Sequence, residues 1–434
     1  EQRRKVVRRE CEIGGTMVAY RPSWVNGFLG RSLIYYKLGI KAEMGFPIGN
    51  VVDPFIVPTC RSSSPADKFY YRSWSSCAAT ATTVSSSSRC PEVNQRGNSN
   101  ACDGRVMLID GTAIIYRAYY KLLAKLHHGH LAHADGNGDW VLTIFTALSL
   151  IFDVLEYIPT HVAVVFDHDG FPFGHSFVSS KENVLAKGSN FRHTLYPQYK
   201  SNRPPTPDTI VQGLQYLKAS VKAMSIKVIE VPGVEADDVI GTLAVRSVDA
   251  GYKVRVVSPD KDFFQIISPS LRLLRIAPRG IEMVSFGIED FAKRYGELKP
   301  SQFVDVMALV GDKSDNIPGV QGIGDVHALQ LITKFGTLEN LLQNIDQIEE
   351  ERIRLTLTKN SDLAVLSKDL ALLRSDLPVY MVPFSTGDLV FQKPEDNGEK
   401  FTSLLTAIGA YAEGFSADPI LRRAFYLWKK IVAV

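Results

Sequence analysis

From Arg105 onward the apolar positions fall into short unbroken runs that alternate with longer stretches of mixed character. Val106-Met107-Leu108-Ile109-Asp110 ends in an acid and leads into a helical stretch around Tyr116 to Leu126. His161-Val162-Ala163-Val164-Val165-Phe166-Asp167 repeats the pattern, and so does Tyr252-Lys253-Val254-Arg255-Val256-Val257-Ser258-Pro259-Asp260. Continuous apolar strands alternating with helices predict an α/β fold, a parallel sheet covered on both faces. Ligands of such sheets gather at the carboxyl ends of the strands, so runs that each close on Asp deliver carboxylates to one rim. A second, smaller helical unit begins near Pro300, with Gly319-Val320-Gln321-Gly322-Ile323-Gly324 before a helical stretch from Asp325 to Phe335. Two helices around a Gly-rich turn form a hairpin whose backbone N–H groups can face phosphates. Past about Pro383 there is no motif, and Phe401 to Val434 read as helices packing on the body. The chain therefore divides into an extension (1–103), a sheet domain (104–299), a hairpin unit (300–383) and a helical tail (384–434), with no internal repeat.

The extension differs in texture. It has serine-rich stretches (Ser62 to Ser64, Ser85 to Ser88), scattered Arg and Lys, few acids after Glu12 and no sustained hydrophobic period. That composition fits an organellar transit peptide, plastid or mitochondrial; the plainer reading is an extension without an address. Met17 offers a start, with Glu1 to Thr16 then upstream sequence. All five cysteines (Cys11, Cys60, Cys77, Cys90, Cys102) lie in the first quarter, so the body has no disulfide or thiolate–metal option. The formal net charge is only +3, so a nucleic-acid partner would be held by local basic patches and by metal rather than by overall charge. No unbroken run of 18 apolar residues exists, and no membrane span is expected.

Candidate chemistry lies in acids at five places: Asp110; Asp167; Glu235, Asp237 and Asp238 after Pro232-Gly233; Asp260 and Asp262 flanking Lys261; and Asp312 and Asp315. Spacing puts Glu235 and Asp238 on one helix face, with Asp237 close by. A single Asp after a strand is commonly a helix cap, and Asp237 or Asp238 alone would suit the positive end of a helix. Nine acids, several in tight clusters at strand ends, outweigh that reading. Carboxylates converging in one pocket repel unless cations are present. Hard oxygen ligands without Cys or an evident His set suit Mg²⁺, with Mn²⁺ as a substitute. Two ions about 4 Å apart would use the whole set, activating a water and stabilising the leaving oxygen of an in-line displacement at phosphorus.

Longer motifs surround these acids. Phe191-Arg192-His193, Tyr199-Lys200-Ser201-Asn202-Arg203-Pro204-Pro205-Thr206-Pro207, Val231-Pro232-Gly233-Val234-Glu235-Ala236-Asp237-Asp238, Asp260-Lys261-Asp262 and Gly311-Asp312-Lys313-Ser314-Asp315-Asn316-Ile317-Pro318-Gly319-Val320 resemble the 5′-nuclease domain of bacterial DNA polymerase I. More broadly the chain is similar to the flap endonuclease family, of the plant organellar 5′–3′ exonuclease type. The resemblance runs in order from about Val106 to Val382, and the roughly 50 residues after it are too few for a polymerase domain. It implies a PIN-like core, a helix–hairpin–helix that grips the duplex, and two metal ions on Asp110, Asp167, Glu235, Asp237, Asp238, Asp260, Asp262, Asp312 and Asp315, some directly and some through water. The family's basic catalytic residues map onto Arg117, seven after Asp110, and onto Lys200 and Arg203, where a helical arch begins. DNA contacts are expected from Arg192, Tyr199, Gly319, Gly322, Ile323 and Gly324; Tyr199 and Phe191 could stack on an unpaired base or simply pack. The chain departs from the family pattern at the longer Phe171 to Asn190 link. It also has Gln321 and Val326, followed by His327, where the hairpin normally carries lysines, and a His127, His128, His130, His133 cluster read as a solvent-facing loop, with a metal role as the alternative.

The function so implied is a divalent-metal-dependent hydrolase cutting DNA at 5′ ends, flaps or RNA-primed segments to leave 5′-phosphates, in organellar replication or repair. Two rivals stand beside it: a binding protein on the same fold without turnover, and an RNA-directed nuclease.

Overall fold

The computed structural model describes residues 104–127, 138–168, 190–276, 282–412 and 415–432, all within one compact unit, Val93–Val434. Residues 1–103, most of the Phe171–Asn190 link and most of the His127–His133 cluster lie outside the described residues, and with them the transit-peptide and histidine-loop expectations.

The sheet is built from β1 (Arg105–Asp110), β2 (His161–Val165), β3 (Lys227–Ile229), β4 (Lys253–Val257), β5 (Leu271–Ile276) and β6 (Met283–Phe286) in the order β3-β2-β1-β4-β5-β6. Neighbours are parallel except at the β5–β6 edge, which is antiparallel. The apolar runs are continuous because both faces are covered. Along β1, Val106 and Leu108 enter one core while Met107 and Ile109 enter the other. The chain lays down β1, β2 and β3 toward one edge, then returns to place β4 against the far side of β1. The order therefore reverses between β1 and β4, which opens a crevice beyond their carboxyl ends.

One face carries α1 (Gly111–His127), α2 (Gly138–Leu155) and α4 (Asp208–Ala223); the short α3 (Phe191–Leu195), which precedes α4 in the chain, lies on the other face. The other carries α5 (Ala236–Asp249) and the second helical unit: α6 (Ile288–Tyr295), α7 (Phe303–Val310), α8 (Asp325–Phe335), α9 (Leu338–Gln343), α10 (Glu351–Lys359) and α11 (Ser361–Ala371). That unit has no separate core, since Met307, Leu309, Leu331 and Leu370 share one apolar cluster with Val106 and Leu108 of the sheet. The closing helices α12 (Glu399–Gly409) and α13 (Asp418–Val432) place Phe401, Leu405 and Trp428 in the opposite core with Ile144 and Phe152 of α2, the packing expected from the sequence.

Helix α2 is long and apolar enough to cross a bilayer, although Asp139, Thr143, Thr146, Ser149 and Asp153 interrupt its apolar run. Most of it is buried inside this fold, where it covers the sheet.

Candidate active site

β1 ends on Asp110, and the chain turns at once into α1. Asp110 is buried; one carboxylate oxygen accepts the N–H of Ala113 at 2.8 Å and the other accepts the Ser258 hydroxyl at 2.9 Å. Ser258 follows β4 directly, so this hydroxyl ties two strand ends across the switch point. The turn beyond it is held by its own side chains. The Asp260 N–H donates to Ser258 Oγ (3.2 Å), and the Asp262 N–H donates to Asp260 Oδ1 (2.9 Å). Phe263 and Phe264, both fully buried, anchor the short 3₁₀ turn Asp262–Ile266 beneath. Asp167, two residues past β2, accepts the N–H of Ala236 at 2.9 Å. That bond draws the first turn of α5, with Glu235, Asp237 and Asp238, onto the same rim. Asp312 and Asp315 arrive from the loop after α7.

The acids divide electrostatically into two groups. Burial raises the Asp110 carboxyl to about 7, and the charges of Asp167 and Asp260 add to that. Burial likewise pushes Asp237 well above the usual carboxylate range, with Asp260, Asp110 and Asp167 raising it further. Asp262 is held well up by burial and by Asp260, Asp315 and Asp312; Asp260 is raised by burial, then by Asp315 and Asp312. Carboxylates from five separate stretches thus lie close enough to raise one another. The outer acids are already compensated. Burial would raise Glu235, but Lys200 and Arg192 outweigh it and bring it below its ordinary value. Lys200 Nζ lies 2.7 Å from Glu235 Oε1 and 3.8 Å from Asp315 Oδ2, Arg203 pairs with Asp315 Oδ1, and Lys261 Nζ lies 3.2 Å from Asp312 Oδ2. Asp312 is lowered overall, because the Ser314 bonds and Lys261 outweigh burial. Among the described residues no three acids or histidines stand ready to close on a single ion, so the carboxylates form a neighbourhood rather than a preformed cage.

Asp238 differs from its neighbours. Arg192, itself 4% exposed, grips it with two hydrogen bonds of 2.7 and 2.9 Å, and the Arg374 N–H donates to it at 2.9 Å. The remaining donors of Arg192 go to Glu235 and to the carbonyls of Leu370 and Leu372. The expectation of Asp238 as a metal ligand therefore gives way to a structural one: its oxygens are committed to a knot joining α3, α5 and the end of α11. Arg192 is likewise turned inward rather than toward DNA, its five N–H donors consumed by that knot. Removing one partner of a buried ion pair leaves an uncompensated charge. Asp238→Ala is expected to lower the unfolding free energy by about 3–5 kcal/mol, read from urea midpoints at unchanged slope; a loss below about 1 kcal/mol would contradict the knot.

Tyr199 also departs from expectation. It is 3% exposed, and its hydroxyl donates toward Glu235 (3.2 Å) and Asp315 (3.3 Å), so it packs instead of offering a stacking face. Phe191 is partly exposed, with the Arg192 and Arg374 guanidiniums over its ring. Arg117 stands two turns into α1 and, with Asp110, Ser258, Pro259, Ile114 and Leu274, lines a small depression at the site's edge. Burial lowers its pKa. In the hairpin, the N–H groups of Gly319 and Ile323 donate internally, to Ser367 Oγ (3.1 Å) and the Val320 carbonyl (3.1 Å), and so are not offered to phosphate. Gly319 is required by close approach, since a Cβ there would lie 2.6 Å from the Val310 carbonyl. Gly322 and Gly324 are exposed at the start of α8, beside exposed Gln321, Val326 and His327.

Ser258, Lys261 and the backbone of Arg374 were not singled out from sequence. Lys261 lies inside the Asp260–Asp262 motif and could have been weighed as a counter-charge. A hydroxyl after a strand and a backbone N–H carry no such signal.

Two family models match the chain. Residues 105–296 match the 5′-3′ exonuclease, N-terminal resolvase-like domain, and residues 298–397 match the 5′-3′ exonuclease, C-terminal SAM fold. The chain is 35% identical over 306 residues to DNA polymerase I of Bacillus caldotenax, covering 70% of this chain and 31% of that protein. It is 36% identical over 277 residues to the thermostable DNA polymerase I of Thermus thermophilus, covering 64% and 29%. The chain thus spans about a third of the length of these relatives. Among solved structures, the T5 D15 protein co-crystallised with metal ions matches at 19% identity and TM-score 0.48, covering 70% of this chain and 99% of that one. The catalytic core of Rad2 in complex with DNA substrate matches at 18% identity and TM-score 0.47, covering 75% and 92%.

Proposed function

The chain belongs to the 5′-3′ exonuclease family, and on that premise we propose that it is a divalent-metal-dependent nuclease hydrolysing DNA phosphodiesters at free 5′ ends or flaps. The observation that supports it is the crowding of Asp110, Asp237, Asp260 and Asp262, each raised by burial and by neighbouring carboxylates of the same rim. Asp262 Oδ1 is moreover buried with no hydrogen-bond partner. Such a site is costly as bare protein and suits hard cations.

The donor set fits Mg²⁺ or Mn²⁺. Asp110, Asp237, Asp260 and Asp262 would hold the ions, with Asp167, Glu235, Asp312 and Asp315 around them. When bound, divalent ions supply the positive charge that acidifies an attacking water and offsets charge growing on the leaving oxygen. Lys200 and Arg203, lodged on Glu235 and Asp315 at the rim, carry the cations that a phosphate oxygen would meet first. Arg203 can hold two phosphate oxygens in one plane, while Lys200 acts as a compact point charge. Arg117 adds a third cation on the Asp110 side of the crevice. The products are 5′-phosphate and 3′-hydroxyl ends.

The test uses 5′-labelled substrates of one sequence (flap, nick, blunt duplex, RNA–DNA hybrid) with Mg²⁺, Mn²⁺ or EDTA. Short 5′-labelled fragments ending in a 3′-hydroxyl, with a 5′-phosphate left on the shortened strand, formed only with metal and fastest from the flap, are expected. A gel shift without cleavage in either metal would favour the binding-protein reading, and preferential cutting of an RNA flap would favour the RNA-directed one. The organellar setting belongs to the same proposal and rests on the Ser- and Arg-rich composition of residues 1–103. Fusing those residues to a fluorescent reporter checks it, and a reporter left in the cytosol would remove it.

A further inference from the structure

The loop that carries Lys200 is not free-standing. Residues 198–203 are laced to residues 312–316 by contacts running in both directions. The Lys200 N–H donates to the Asp315 carbonyl at 2.9 Å. The Asn316 side-chain amide donates to the Gln198 carbonyl at 2.7 Å and to Ser201 Oγ at 3.3 Å. The Asn202 amide returns the connection to the Lys313 carbonyl, and Arg203 Nε reaches the Ser314 carbonyl at 3.4 Å. At the centre of this lacing stand two residues in the left-handed region, Lys200 at φ 55° and Asn316 at φ 57°. That conformation is unfavourable for a lysine and persists only where the surroundings over-determine it. Asn tolerates it better, and its short amide can bond to nearby backbone.

The conformation matters because it sets the direction of the Lys200 side chain. From a left-handed Cα the ammonium reaches 2.7 Å from Glu235 Oε1, at the edge of the carboxylate crowd. From an ordinary right-handed or extended Cα the Cβ would point elsewhere, and the ammonium would leave the rim. The Asn316 amide donates to none of the acids: its partners are the Gln198 carbonyl and Ser201 Oγ. Its amide holds the two carbonyl- and hydroxyl-bearing residues on either side of Tyr199–Lys200, and so clamps the turn from which Lys200 projects.

We infer that Asn316, assisted by Asn202, is a positioning residue for Lys200: it mounts the lysine turn on the acidic loop so that cation and carboxylates form one fixed unit. This rests on the reading of Lys200 given under the proposed function.

A mutant cycle on the full chain tests it, with a 5′-labelled flap oligonucleotide in Mg²⁺. Asn316→Gly keeps the left-handed φ without strain and deletes only the amide. It is expected to lower kcat by about tenfold to a hundredfold, the size that a small misplacement of a reacting group produces, with KM within about twofold. Combined with Lys200→Ala it is expected to add nothing, because the lysine it positions is gone. A merely structural role would instead lower the two activities independently, so that the losses multiply. If Asn316→Gly does not fold, Asn202→Ala, an exposed position, enters the same cycle with a smaller loss. Multiplying losses, or unchanged kcat in the asparagine variants while Lys200→Ala is impaired, would overturn the positioning role alone. Unchanged kcat in Lys200→Ala would overturn it together with the underlying reading of the lysine.

Discussion

Replacing Asp260 and Asp262 together with alanine is expected to abolish cleavage while making the metal-free protein harder to melt. Several kcal/mol of transition-state stabilisation are expected to be lost with the ions these acids would hold, and 1.36 kcal/mol is a factor of ten, so the rate falls by about a thousandfold or more. The stability change has the opposite sign because burial raises both carboxyls, with Asp315 and Asp312 adding to each and Asp260 to Asp262, while Asp262 Oδ1 has no partner to lose. The lost bond from the Asp262 N–H to Asp260 Oδ1, worth about 1 kcal/mol, offsets only part of the gain. Removing a crowded charge relieves repulsion, the usual relation between a strained site and the fold that carries it. Asp238→Ala behaves oppositely on stability, since its carboxylate is satisfied by Arg192. Single-turnover cleavage of a labelled flap in Mg²⁺ and in Mn²⁺, with melting scans in EDTA, reads both effects. Undiminished cleavage would refute the assigned site, and a lower melting temperature in EDTA would refute the crowding.

A second large effect concerns pH. Asp110 keeps its proton in the folded protein up to about 7, whereas the unfolded chain releases it near its ordinary value of 3.8. Between those values the folded state binds more protons, so stability falls as pH rises through the window. Asp237, Asp260 and Asp262 are raised in the same direction and steepen the fall. Glu235 and Asp312, held low, contribute stability that is lost only as pH drops below the ordinary carboxylate range. The metal-free protein is therefore most stable in mild acid and weakens toward pH 8. Divalent cations bound by these acids would take over the role of the protons, so their stabilisation is expected to grow with pH. Urea midpoints at pH 5, 6, 7 and 8, in EDTA and in Mn²⁺, are expected to diverge steadily. Parallel curves would contradict the linkage.

Much of this was legible from residue order. Unbroken apolar runs closing on acids identified β1, β2 and β4, because strands buried on both faces cannot alternate. Helix α8 falls at Asp325 to Phe335, as the Gly-rich turn before it implied. The edge was not legible: β6 is only Met-Val-Ser-Phe, and β5 interleaves Arg272 and Arg275 with its apolar residues. Nor could Asp237 be told from Asp238 by type or spacing. What separates them is Arg192 and the backbone at Arg374, 46 and 136 residues away from Asp238. Tyr199 and Arg192 carry the residue types of a nucleic-acid contact, but only tertiary packing decides that they face inward. The Gly319 N–H is likewise claimed by Ser367, 48 residues on, which no local pattern announces.

The proposed function requires that the acids of Asp110, Asp167, the α5 turn, the Asp260 turn and the Asp312 loop form one cation-binding pocket. Titrating the full chain with Mn²⁺ and reading free ion by electron paramagnetic resonance tests this without reference to any substrate. Two bound ions per chain, with fewer than one retained by the Asp260→Ala, Asp262→Ala double variant, is the predicted result. Equal Mn²⁺ uptake by both proteins, or none by the unaltered chain, would contradict it.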